Sequence, residues 1–81
     1  MIDQIRSLLA RNGMVPFNIE TLSDQDNLYD AGMTSFASVQ VMLAIEEAFD
    51  IEFPEEMLTR RTFSSLAHIA DAVSQLTRKA A

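Results

Sequence analysis

Between residues 35 and 49 the chain reads Ser-Phe-Ala-Ser-Val-Gln-Val-Met-Leu-Ala-Ile-Glu-Glu-Ala-Phe, and its apolar residues recur with a helical period without forming a single stripe. At about 100° per residue, Val41, Met42, Ile45 and Phe49 fall on one side with the small Ser38. Phe36, Val39 and Leu43 fall nearly opposite, beside Gln40 and Glu47. A helix that is apolar all round is usually central and buried. A domain of 81 residues, however, can hardly surround one helix. One face must therefore line the core, and the continuation through Ile51 and Phe53 assigns that role to the Phe49 side. The Phe36 side is left as a candidate docking surface, with ordinary packing as the competing reading.

Immediately before this helix stands Gly32-Met33-Thr34-Ser35-Phe36, which places Ser35 at a loop-to-helix junction. Thr34 or Ser35 can accept a hydrogen bond from a backbone N–H of the first turn, where those groups lack intrahelical partners. A phosphate esterified to Ser35 would meet the same N–H groups and the positive end of the helix dipole. A plain helix cap is the ordinary role of such a residue, so the junction alone does not decide between the two.

The rest of the chain reads as helices joined by loops. Ile2, Ile5, Leu8 and Leu9 form a stripe that predicts a first helix over 2–12, ended by Gly13. Residues 14–34 mix Pro16, Asn18, Asp24, Asn27 and Gly32 with scattered Phe17, Ile19, Leu22 and Leu28, a long loop tacked to a core. Connections of that length in a compact domain are often functional. Asp50-Ile51-Glu52-Phe53-Pro54 breaks the long helix, and Pro54 is suited to start a short helical turn through Leu58. Thr62 or Ser64 is placed to cap a last helix with the stripe Phe63, Leu66, Ile69, Ala70, Val73 and Leu76. Arg78 and Lys79 then complement its dipole, and Ala80-Ala81 is expected to fray. The expected fold is all-α, a single domain over 1–81. It is a small four-helix bundle with a long loop between helices one and two and a short third helix. Its expected core is Ile5, Leu8, Val41, Ile45, Phe49, Phe53, Phe63, Leu66, Ile69 and Val73.

Composition excludes several functions. So small a domain has little interior left for an enclosed active site. There is no cysteine, hence neither a disulfide framework nor a thiolate metal site, and nothing resembles a signal peptide or membrane span. A monomeric cytoplasmic protein is expected. The net charge of -6 disfavours nucleic acid and suits a partner with a basic surface, although solubility alone also explains it. Asp24, Asp26 and Asp30 have calcium-loop spacing, but Tyr29 stands where the loop requires glycine and Ser35 where it requires glutamate. A serine hydrolase would need a base beside Ser35, and the lone histidine, His68, lies on the polar side of the last helix. Met14, Met33, Met42 and Met57 could line an adaptable cavity, with core filler as the favoured role.

Taken in order, the first helix, the long loop, Gly-x-x-Ser at a helix start, Ile45-Glu46-Glu47-Ala48-Phe49-Asp50, Ile51-Glu52-Phe53-Pro54 and Thr62-Phe63-x-x-Leu66 resemble an acyl carrier protein over nearly the whole chain. The resemblance implies that Ser35 receives 4'-phosphopantetheine from a phosphopantetheinyl transferase that uses coenzyme A. It also implies a carrier and not a catalyst: the pantetheine arm would bring the thiol that the chain lacks. Its partners would be an acyl or aminoacyl ligase and a downstream transferase, docking over Met33, Thr34, Phe36, Val39, Gln40, Leu43 and Glu47. The commonest carrier pattern is Asp-Ser-Leu with further acids along the helix, whereas Thr34-Ser35-Phe36, Ala37 and Gln40 stand here. Docking to basic partners should accordingly be weaker, leaving Glu46, Glu47 and Asp50. Gly-Met-Thr-Ser-Phe is similar to the attachment site of stand-alone carriers loaded with an amino acid by ligases resembling class II aminoacyl-tRNA synthetases. The alternative is an unmodified helical adaptor that docks through Phe36, Val39 and Leu43.

Overall fold

The computed structural model describes residues 1–11 and 15–80, all of whose regular structure is helical. The α-helices are α1 (Ile2–Arg11), α2 (Leu28–Ala31), α3 (Ser35–Phe49) and α4 (Leu66–Ala80), with 3-10 turns at Ile19–Thr21 and Glu55–Met57. The expected stop at Gly13, the Met14 side chain, the Lys79 side chain and the fraying of Ala81 lie outside the described residues.

The core forms where α1, α3 and α4 turn their apolar stripes together. Ile5, Leu8 and Leu9 come from α1, Val41 and Ile45 from α3, and Leu66, Ile69 and Val73 from α4. Each set repeats at three- and four-residue intervals, which is the requirement for one buried helix face. Phe53 and Phe63 close one side, their rings 5.3 Å apart and inclined at 68°. Such an edge-to-face pair adds about 0.5–1.5 kcal/mol beyond area burial. Phe49 departs from expectation. It is only half-buried, at the rim of a hollow shared with Asp3, Ser7 and Arg11 of α1. There it meets the polar side chains of α1 across an open hollow, and the fully buried residues of α3 are Val41 and Ile45.

The segment expected to be a structureless loop is partly helical. Asn18 Oδ1 accepts the Glu20 N–H at 3.1 Å and opens the first 3-10 turn. Asn27 Oδ1 accepts the Asp30 N–H at 2.9 Å and opens the single turn of α2. Neither turn is long enough to display an apolar period; the asparagine caps define them. Gly32 ends α2 at φ 126°, where a side chain would be strained. Arg6 pins the segment to α1, donating through one guanidinium nitrogen to Ile19 O at 2.8 Å and Leu22 O at 2.7 Å, and through another to Asp24 Oδ1. Two backbone bonds join it to the entry of α4: Leu28 N–H to Ser64 O at 2.7 Å and Ala67 N–H to Asp24 O at 3.0 Å. Ile19 and Leu28 are fully buried as a result, core residues that periodicity did not single out.

Two expected elements begin differently. The short third helix is a three-residue 3-10 turn, with Pro54 at its N-cap position and no side-chain cap. The last helix is capped by Ser65, not by Thr62 or Ser64: Ser65 Oγ accepts the His68 N–H at 3.1 Å and Ser65 O accepts the Ile69 N–H. Ser64 Oγ donates instead to Arg61 O at 2.7 Å, and the Thr62 hydroxyl pairs with that of Thr59, so both stabilise the turn before the helix. Phe63 therefore joins the core from that turn.

Candidate functional site

At the start of α3 the capping role falls on one residue. Thr34, extended at φ -84° and ψ 166°, accepts the Ala37 N–H on its Oγ1 at 3.0 Å, while its carbonyl accepts the Ser38 N–H at 3.0 Å. Ser35, the first residue of the helix, is exposed, and its hydroxyl makes no hydrogen bond among the described residues. Its carbonyl is engaged, accepting from Ser38 Oγ at 2.7 Å. The N–H groups of Ser35 and Phe36 lie too early in the helix for intrahelical partners. The junction thus presents a free hydroxyl beside two unsatisfied donors at the positive end of a fifteen-residue helix. An esterified phosphate fits here without displacing the cap.

The two-faced reading of α3 holds at the residues nearest Ser35. Phe36 is 73% exposed, Val39 50% and Leu43 54%, while Val41 and Ile45 are fully buried behind them. Thr34, Gln40 and Glu47 are exposed on the same end and flank. Met33 is not part of that surface. It is 4% exposed, its N–H bonded to Leu28 O at 3.0 Å, because the Gly32 turn folds it under α3. Glu46 is also committed to the fold, its Oε2 accepting the Phe53 N–H at 2.9 Å.

Beside Ser35 opens a groove of ≈ 380 Å³ between α3 and the segment that leads to α4. Val39, Met42, Leu58 and Phe63 make it mainly apolar, and Tyr29 and Arg60 stand at its edge. The Arg60 guanidinium carbon lies 3.9 Å from the centroid of the Tyr29 ring. Periodicity and spacing did not point to Tyr29, Leu58 or Arg60, since their tie to Ser35 exists only after folding. Of the methionines, Met42 lines this groove, Met33 fills the core and Met57 is half-buried against it.

Rival chemistries find their residues otherwise employed. Asp24 pairs with Arg6, and Asp26 Oδ2 accepts the Ser23 N–H at 2.9 Å, so both carboxylates serve the loop. His68 has its Nδ1 2.6 Å from Ser65 Oγ in the first turn of α4.

Residues 3–73 match the phosphopantetheine attachment site family. The chain is also 54% identical over 69 residues to an aminoacyl carrier protein of Agrobacterium fabrum, a match that spans 85% of this chain and 83% of that protein. The chain belongs to the phosphopantetheine-attachment family of carrier proteins. This carrier is similar as well to a D-alanyl carrier protein of Lactobacillus acidophilus, at 40% identity over 60 residues, or 70% of this chain and 76% of that one. Its fold superimposes with a TM-score of 0.85 on a chain of a crystal structure of an engineered Bradyrhizobium japonicum glycine:carrier protein ligase, complexed with carrier protein from Agrobacterium tumefaciens and ATP. That match has 49% sequence identity and covers 93% of this chain and 97% of the other. The cofactor of the carrier is covalently bound 4'-phosphopantetheine. Among the described residues no helix is long and apolar enough to cross a membrane.

Proposed function

We propose that this carrier holds an aminoacyl group as a thioester on a 4'-phosphopantetheine arm attached to Ser35, and presents it to partner enzymes in the cytoplasm without catalysing a reaction itself. The observation that carries the attachment is the exposed Ser35 hydroxyl, free because Thr34 has taken over the cap. Ser35 is the acceptor in the loading step: its Oγ forms a bond to phosphorus, the pyrophosphate P–O bond of coenzyme A breaks, and adenosine 3',5'-bisphosphate leaves. The hydroxyl proton departs to a base on the phosphopantetheinyl transferase. When bound, the group supplies the thiol, which matters in a chain without cysteine.

The aminoacyl class of cargo is supported by the similarity to aminoacyl and D-alanyl carriers and to a carrier captured with a glycine ligase. An ATP-dependent amino acid ligase of the class II synthetase type loads the arm, and a downstream transferase unloads it. Both approach over Thr34, Phe36, Val39, Gln40, Leu43 and Glu47, the exposed surface around Ser35, with Met33 supporting it from below. Phe36, Val39 and Leu43 form an apolar strip able to exclude water at the centre of such a contact.

Intact mass tests the attachment. Treatment with coenzyme A and a promiscuous phosphopantetheinyl transferase should add one phosphopantetheine to the wild type and nothing to Ser35→Ala, which should keep its helical circular dichroism. Addition to Ser35→Ala would move the site elsewhere. No addition to wild type would leave the alternative, an unmodified adaptor that docks through the same apolar strip.

A further inference from the structure

The groove beside Ser35 contains one charged residue, Arg60. The protein carries a net charge of -6, yet the guanidinium of Arg60 has neither a carboxylate partner nor a hydrogen-bond acceptor among the described residues. Among the described residues the one ion pair is that of Arg6 with Asp24, which ties α1 to the loop before α2. Arg60 is nonetheless held in place, because its guanidinium lies 3.9 Å from the centroid of the Tyr29 ring. A stack of this kind restrains the guanidinium plane through the ring quadrupole and leaves the five N–H donors on its edge unused. A positioned cation with unspent donors, at the edge of a groove that a modifiable serine also lines, is arranged to receive an anion.

The anion on offer is the phosphodiester that attachment at Ser35 would create. We infer that Arg60, held on Tyr29, binds the phosphodiester of the arm and keeps the root of the arm against the groove between α3 and the segment leading to α4. The inference rests on the attachment proposed above. The non-bridging oxygens of a phosphodiester match the guanidinium fork, and their negative charge faces the unsatisfied N–H groups of Ser35 and Phe36 from the other side. Beyond the phosphate, the aliphatic part of pantetheine meets Val39, Met42, Leu58 and Phe63. The site is open to solvent, so the contact is weak and reversible. Arg60 is thus a positioning residue: it biases the arm between a state laid along the protein and one extended toward a partner.

Nuclear magnetic resonance of the protein before and after holo conversion tests this, with intact mass confirming the arm on each sample. In the wild type, conversion should shift the Arg60 Nε–H and Tyr29 ring resonances. The phosphorus signal should move with added salt toward its position in holo Arg60→Gln, where salt has no further effect. Arg60→Lys should retain part of the salt response, and Tyr29→Leu, which keeps the charge but removes the stack, should fall between wild type and Arg60→Gln. If the arm is present and the Arg60 and Tyr29 resonances stay where they were, or the phosphorus signals of wild type and Arg60→Gln coincide, the contact does not exist although Ser35 is modified. If mass shows no arm on Ser35, the attachment is wrong and the contact falls with it.

Discussion

The two faces of α3 can be separated by a pair of substitutions with opposite effects. Ile45 is fully buried in the core, and truncating such a residue to alanine costs about 2–5 kcal/mol, the transfer term plus the cavity left behind. A domain of 81 residues holds about 4–12 kcal/mol in total. Ile45→Ala should therefore lower the urea midpoint by a large fraction while the slope of the transition stays constant. Phe36, 73% exposed, should behave in the reverse way: substitution by alanine should change stability by less than about 0.5 kcal/mol. Its exposed surface is about 110–180 Å², since an aromatic side chain offers about 150–250 Å². At 25 cal/mol per Å² that is worth about 3–4.5 kcal/mol if wholly covered by a partner. Ordering at the contact and incomplete coverage remove a good part of this, leaving about 1.5 kcal/mol, or roughly tenfold in kcat/KM for loading. The assay is thioester formation on holo protein by the cognate ligase, at low and high ionic strength, with Glu52→Ala as a control and circular dichroism on every variant. Because Glu46 is tied to Phe53 and the usual acids are absent, loading should depend only weakly on salt. If Phe36→Ala loads like wild type while salt abolishes transfer, docking is electrostatic and centred near Glu47 and Asp50, and the reasoning from the exposed strip fails.

Thr34→Ala removes the Oγ1 acceptor from the Ala37 N–H and should cost about 1 kcal/mol, seen as a drop in Tm of about 4–8 °C, with Ser35 still accepting phosphopantetheine. An unchanged Tm would mean that Ser35 can take over the cap. Asp50 ends α3 at φ 53° and ψ 51°, a left-handed conformation that costs a side-chain-bearing residue about 1 kcal/mol. Asp50→Gly should therefore raise the urea midpoint, and a lowered midpoint would show that the aspartate carboxylate stabilises the fold by more than the strain it introduces.

What could be read from the residues alone was whatever depends on near neighbours in the chain. The bounds of α3, the inward Val41 and Ile45, the outward Phe36, Val39 and Leu43, and the place of Ser35 at a helix start all follow from helical period and capping chemistry, which act over a few residues. The ordered matches to a carrier protein extended that reading to a cofactor, since a family pattern records chemistry that periodicity does not. Tertiary structure decided the rest. Met33 is buried because the Gly32 turn folds under α3, and Phe49 is only half-buried because it meets the polar Asp3, Ser7 and Arg11 of α1 across an open hollow. The turns at Ile19–Thr21 and Leu28–Ala31 are too short to carry a period and are held by Arg6 and by backbone bonds to the entry of α4. Ser65 outcompetes Thr62 and Ser64 for the cap because the Thr59–Ser64 turn uses their hydroxyls. Arg60 reaches the groove beside Ser35 from far along the chain, and that proximity comes from packing helices whose contacts are long in sequence.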